Sequence, residues 1–266
     1  MNTRGFALLT VLWVIAAVSG AVGLTLVSAR LGERATRNRQ ILARGRWAAE
    51  ACLAVAQARW GTPRARPADS LDLGRGTRCA WRFDDPGARL NVNVAEREVL
   101  RRLLVAAGLG ADSSSHLADA IAASRADTPL VSTGQLLDVA GLSARLLQRL
   151  TTDGPGTVNI SVAPREVLAA LPGFTEETIE VALGRRAQSR QVTSLGELAG
   201  ALSPAAKVDL LQHYADLVGL VTFEPAQLVL TAEGWVEGAV AAPRATIELV
   251  LVPLSERLAT VRRRMW

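Results

Sequence analysis

Histidine, cysteine and lysine are all scarce in this chain, and each scarcity closes off a class of function. The only histidines among the 266 residues are His116 and His213. They stand far apart, with no cysteine or carboxylate at ligand spacing, so the sequence contains neither a histidine metal site nor a nucleophile–base pair. His116 follows Ser113-Ser114-Ser115 and reads as a helix start, and both rings read as solvated. A phosphate loop is missing too, because Gly74-Arg75-Gly76 lacks both the preceding strand and the lysine. No enzyme constellation is expected.

The two cysteines, Cys52 and Cys79, do not make a metal site unaided. An even count permits one disulfide, and two buried thiols in a reducing compartment are the alternative. Lys207 is the single lysine, so the 30 basic residues are nearly all Arg; set against 25 acidic ones they leave a net charge of +5. Such a bias follows genomic base composition as readily as it follows a partner. With the basic residues scattered along the chain, charge alone argues little for nucleic acid.

Charge of either sign is absent from Phe6 to Ala29. As a helix this run is about 36 Å long, enough to cross a hydrocarbon core of about 30 Å with some tilt. A buried core helix is the competing reading, but a single run beside the N-terminus favours a membrane span. Its small residues Ala16, Ala17, Ser19, Gly20, Ala21 and Gly23 permit close approach of a neighbouring helix. A secretory signal peptide has a shorter apolar region followed by a small-residue cleavage site. Here the run continues into helix-forming sequence, which disfavours removal by an ordinary signal peptidase.

Before the span stands Met1-Asn2-Thr3-Arg4-Gly5, and Arg4-Gly5 followed by Phe6-Ala7-Leu8-Leu9-Thr10 resembles the leader and first mature residues of type IV prepilins and type II secretion pseudopilins. The resemblance implies that a prepilin peptidase on the cytoplasmic side cuts between Gly5 and Phe6 and N-methylates Phe6. Most pseudopilins carry Glu at the fifth mature position, where it neutralises a neighbour's new amine in a dry bundle. Thr10 stands there instead, a departure that resembles the minor pseudopilin K family of type II secretion, whose place is the filament tip with no subunit above. One feature opposes the periplasmic body this implies. Arg30, Arg34, Arg37, Arg39, Arg44 and Arg46 follow the span and only Arg4 precedes it, so the positive-inside rule points the body to the cytoplasm. Pairing of these arginines with Glu33 or with neighbours is the expected relief.

Beyond the span the helix is expected to run to about Trp60, with Ile41, Gly45, Ala48, Cys52 and Val55 forming an apolar stripe at three- and four-residue steps. Gly61-Thr62-Pro63 ends it, and Pro67 and Gly74-Arg75-Gly76 mark a loop. Arg78 to Asp84 alternates as a strand with Cys79, Trp81 and Phe83 on one face. Cys79 on a strand and Cys52 on the helix stripe then both face inward, as a helix-to-sheet disulfide requires.

From Leu90 to about Tyr214 the chain reads as helical and duplicated. Asn91 to Leu100 matches Asn159 to Leu168 at an offset of 68, and the match resumes where Val131-Ser132-Thr133 and Leu137 correspond to Val192-Thr193-Ser194 and Leu198. Two copies make a duplication, not a solenoid. Leu171-Pro172-Gly173, continuing into Phe174-Thr175, resembles the hairpin of helix-hairpin-helix modules, which grip a DNA phosphate. Glu176 and Glu177 fill the following first turn and repel phosphate, so a structural tight turn is favoured over nucleic-acid contact. An all-helical insertion with such an Asn-rich lead-in is itself a mark of the K family.

After Tyr214 the period changes to two. Leu217, Gly219, Val221 and Phe223, then Gln227 to Glu237, then Arg244 to Val252 read as three antiparallel strands. Arg257 to Trp266 reads as a short basic helix or frayed tail. The expected fold is therefore α+β: a pilin-like long N-terminal helix on an antiparallel sheet, with an inserted, duplicated helix-hairpin-helix or SAM-like domain. Its parts are a leader (1–5), a transmembrane segment (6–29), a periplasmic helix (30–60), sheet segments (61–89 and 215–253), a helical insertion (90–214) and a tail (254–266).

The resemblance implies a single-pass inner-membrane protein that acts by assembly. Its partners would be the I- and J-type minor pseudopilins, the major pseudopilin and the prepilin peptidase. It makes calcium the one candidate cofactor, but Asp69, Asp72, Asp84 and Asp85 cluster only loosely and lack EF-hand spacing, so no ligands are assigned. Two other readings stay open: a membrane-anchored helix-hairpin-helix DNA-binding protein, and a type IV pilus minor pilin.

Overall fold

The structure is a computed structural model that describes residues 3–139, 141–238, 244–254 and 257–265. Its first element, α1 (Thr3–Arg59), is a single helix of 57 residues. No proline interrupts it, and Gly61 at φ 72° turns the chain away, with the Thr62 hydroxyl donating to the Arg59 carbonyl at 2.6 Å. Through residue 40 the described side chains of α1 are exposed, and burial begins at Ile41 and Gly45.

Two antiparallel strands follow, β1 (Ala68–Asp72) and β2 (Thr77–Asp84). The first was expected to be loop. It pairs along its whole length with β2, whose partner side chains no local pattern in Ala68–Asp72 announces.

The helical region comprises β3 (Leu90–Asn91), α2 (Arg97–Ala106), α3 (Ala111–Ser124), α4 (Ala144–Leu147), β4 (Leu150–Thr151), β5 (Val158–Asn159), α5 (Arg165–Ala169), α6 (Glu176–Ala187), α7 (Leu195–Ala199), α8 (Pro204–Gln212), α9 (Tyr214–Leu220) and β6 (Val221–Thr222). The α3 helix starts at Ala111 with Gly110 before it, so His116 lies in its second turn and does not begin it. One core, with Leu100, Ile121, Leu136, Ile160, Leu168, Leu198, Leu210 and Leu217 fully buried, joins both copies.

Duplication is visible in the bonding. In each copy a two-residue strand pairs in parallel with the end of the copy, β3 with β4 and β5 with β6. Asn91 accepts from the Asn93 amide and Asn159 from the Ser161 amide, both at 2.9 Å. Arg125 reaches back to the carbonyls of Val92 and Ala95, as Arg186 does to those of Ile160 and Ala163. Downstream the copies are aligned one residue differently from the sequence match. Ser132 and Ser194 are the corresponding N-caps and Leu136 corresponds to Leu198, because Leu136 is buried whereas Leu137 is 62% exposed.

The remaining strands are β7 (Leu228–Val236), β8 (Ala245–Leu254) and β9 (Arg257–Met265), completing a five-stranded antiparallel sheet in the order β1-β2-β7-β8-β9. Two expectations fail here. The first of the three strands, placed around Leu217 to Phe223, is instead α9 followed by the short β6, because Leu217 docks into the helical core. A brief apolar run does not distinguish strand from helix by period. And the basic tail is β9, paired with β8 from Ile247 to Leu254 through a bulge between Val250 and Leu251.

Across one face of this sheet lies the C-terminal half of α1. Ala48, Ala49, Cys52, Leu53 and Ala56 are buried against Cys79, Trp81, Leu230, Ala232, Ile247 and Leu251. The small residues on the helix side let the backbone approach the sheet closely.

Candidate assembly surfaces

Gly5, Phe6 and Thr10 lie in the first turns of α1, but the side chains up to residue 10, and Met1 and Asn2 altogether, lie outside the described residues. From Val11 onward the helix presents bare apolar surface: Leu12 is 66% exposed, Trp13 70% and Leu24 72%. The apolar stretch has a mean hydropathy of 2.1 and none of it is buried by the rest of the chain. A Cβ on Gly20 or Gly23 would meet nothing within 4 Å, so both are open to another helix. An exposed apolar surface of this size is stable only in lipid or against other helices.

Among the described residues the six arginines after the span do not find the expected carboxylate. Among the described residues none of Arg30, Arg34, Arg37, Arg39 and Arg46 forms an ion pair, with Glu33 or otherwise. Arg44 instead donates to the Arg75 carbonyl at 3.1 Å and the Thr77 hydroxyl at 3.0 Å, tying α1 to the β1–β2 turn.

Cys52 and Cys79 are joined in a disulfide with their Cα atoms 6.1 Å apart, linking α1 to β2 at the centre of the interface. The hairpin is packed into its own domain. Leu171 is buried and Gly173 has φ 70°, where a Cβ would lie 2.8 Å from the Asp209 carbonyl oxygen of α8 and 3.1 Å from His213. Glu176 pairs with Arg165, and Glu177 accepts from both the amide and the hydroxyl of Ser203 at 2.6 Å. The α6 N-terminus that would face a phosphate is thus flanked by carboxylates. His213 stands 3.5 Å from Asp216, three residues on, so it does have a neighbouring carboxylate, contrary to the sequence reading.

The candidate calcium carboxylates are dispersed and engaged. Asp69 pairs with Arg59 at 3.2 Å, Asp72 with Arg78 at 3.5 Å, and Asp84 with Arg89. Asp85 accepts from Asn159 and from the Gly87 amide, each at 2.7 Å, and burial raises its pKa above the ordinary carboxylate value. Among the described residues no group of three His, Cys, Asp or Glu side chains is placed to hold a metal ion.

Sequence reasoning missed the junction between sheet and helical region. Asp153, in the loop after β4, takes both Arg262 and Arg264 of β9, the latter at 3.3 Å. Arg264 also reaches Glu248 at 3.0 Å, and Arg263 on the opposite face pairs with Glu50 of α1. Arg262-Arg263-Arg264 gave no sign of a strand, since three identical neighbours carry no period, and only the pairing of Arg262 and Arg264 on one face and Arg263 on the other reveals it.

No family model matches the chain, and no curated protein matches it in sequence. Among solved structures, a chain of the GspK–GspI–GspJ complex from the type 2 secretion system of enterotoxigenic Escherichia coli resembles it with a TM-score of 0.57 at 13% identity, over 90% of this chain and 99% of that one. At this identity the likeness speaks to architecture alone: the protein has the α+β fold of a chain of that complex, a long N-terminal helix on an antiparallel sheet with a helical domain inserted.

Proposed function

We propose that this protein is a minor pseudopilin of K type, which caps the pseudopilus of a type II secretion system and nucleates its assembly. The observation that carries this reading is the near-complete overlap with a chain of the GspK–GspI–GspJ complex. It is supported by an exposed apolar helix at the N-terminus and by a bulky helical domain that a subunit inside a filament has little room for.

On this reading Phe6 is the first mature residue, N-methylated after a prepilin peptidase cuts behind Gly5, and Thr10 replaces the usual Glu because no subunit sits above. The body lies in the periplasm, held to the inner membrane by a single span, where the Cys52–Cys79 disulfide is at home. The I- and J-type minor pseudopilins pack against the helix, with the major pseudopilin below them. The protein works by assembly and carries out no chemistry of its own. Mass spectrometry of the membrane-extracted protein should find an N-methylated Phe6, and a bulky substitution at Gly5 should leave the precursor intact. Met1 retained on the protein from actively secreting cells would overturn the proposal.

A further inference from the structure

Arg30, Arg34 and Arg37 follow one another at steps of four and three, so they share one face of α1 immediately after the charge-free run ends at Ala29. All three are exposed, and among the described residues none has an anionic partner, although Glu33 stands within the same turns. Elsewhere in the chain arginines pair readily, as Arg97, Arg165, Arg185 and Arg263 do. The collar is therefore positive charge that the fold leaves unmatched.

Distance along the helix says what could match it. With the apolar run in a bilayer, Arg30 stands at its edge, Arg34 about 6 Å and Arg37 about 10 Å further along the axis. Both distances are comparable with a screening length of about 8 Å at physiological salt. Arg46, about 24 Å beyond Arg30 along the axis, lies outside that range. A guanidinium is built to hold a phosphodiester oxygen by paired N–H donors, and three on one face match the headgroup layer of a single leaflet.

We propose that Arg30, Arg34 and Arg37 form a binding collar for anionic phospholipid headgroups at the exit of the span. Zwitterionic lipids offer the same phosphate but carry a compensating cation, so the collar selects net negative charge. The inference needs the apolar run to cross a bilayer and is independent of the assembly role. It holds in whichever leaflet the helix emerges, and it supplies the partner that Glu33 does not.

For the test, the full-length protein is reconstituted in equal parts phosphatidylglycerol and phosphatidylcholine and taken into a mild non-ionic detergent. Native mass spectrometry then counts the lipids still bound. Phosphatidylglycerol should exceed phosphatidylcholine by about fivefold or more at low salt, that being the contribution of one arginine close to an anionic surface. The ratio should fall as salt is raised. The triple substitution R30Q/R34Q/R37Q should bring it to near one, whereas R46Q should leave it unchanged; circular dichroism checks that both variants fold. Equal retention of the two lipids by the unaltered protein, loss of both lipids from it, or an enrichment that survives the triple substitution would each overturn the collar.

Discussion

A Cβ placed on Gly234 of β7 would lie 2.0 Å from the carbonyl oxygen of Gly45 in α1 and 2.5 Å from the Ala49 amide. Helix and sheet thus touch backbone to backbone at this crossing. Gly234 also pairs in register with Cys79, so the contact sits beside the disulfide. Glycine is required at 234 by proximity alone, since its φ is not among the positive ones.

Gly234→Ala should therefore push α1 off the sheet and cost about 3 kcal/mol or more. Gly45→Ala meets its nearest atom at 3.0 Å and gains about 1 kcal/mol in helix propensity, so it should cost far less. Thermal unfolding of the two variants measures the asymmetry, and equal losses would show that the crossing relaxes freely.

The disulfide closes a segment of sequence separation 27, for which the chain-entropy model gives a stabilisation of about 3 to 4 kcal/mol. Replacing both cysteines by alanine, or adding reductant, should lower the denaturant midpoint accordingly while leaving the helical core intact. Alkylation of the unreduced protein should find no free thiol.

Asp153 and Glu50 divide the work of holding β9 unequally. The Asp153 side chain is 16% exposed and serves two arginines, so although Arg264 keeps Glu248 and Arg262 is 46% exposed, Asp153→Ala should cost about 1 to 2 kcal/mol. Glu50 and Arg263 are 39% and 45% exposed, and Glu50→Gln should cost less than about 1 kcal/mol. Hydrogen exchange at residues 257–265 should quicken in the first variant only; unchanged exchange there would remove Asp153 from this role.

Asp85 gives the junction a pH dependence of definite sign. Burial raises its folded pKa above the ordinary 3.8, outweighing the hydrogen bonds from Asn159 and Gly87. The folded state then holds the proton longer than the unfolded one. Its contribution is present below about 3.8 and is lost as the pH rises through the raised folded value. Glu98, held down to about 2 by Arg101 and Arg102, acts oppositely: its stabilisation is present above its ordinary 4.5 and lost as the pH falls toward 2, and its exposure keeps the effect small. Relative to Asp85→Asn, the unaltered protein should lose melting temperature as the pH rises from about 3.8 through the raised folded value, and the difference should level off above it. A flat difference would assign the pH response to other groups.

The charge-free run, the amphipathic stripe from Ile41 to Val55, the alternation around Cys79 and the 68-residue duplication were all legible, because each is written in neighbouring residues whose spacing repeats the geometry of helix or strand. Those patterns determined a long N-terminal helix, a sheet for it to lie on and a doubled helical region. Tertiary structure alone decided that Tyr214–Leu220 is helical, that Ala68–Asp72 and Arg257–Met265 are edge strands, and that Ser132 answers to Ser194. Edge strands take their conformation from the ladder hydrogen bonds of the strand beside them, and a short apolar run takes its conformation from the core it fills. For these segments the deciding partner lay outside the segment itself: the hairpin neighbour β8 for β9, the hairpin neighbour β2 for β1, and the helical core for Leu217.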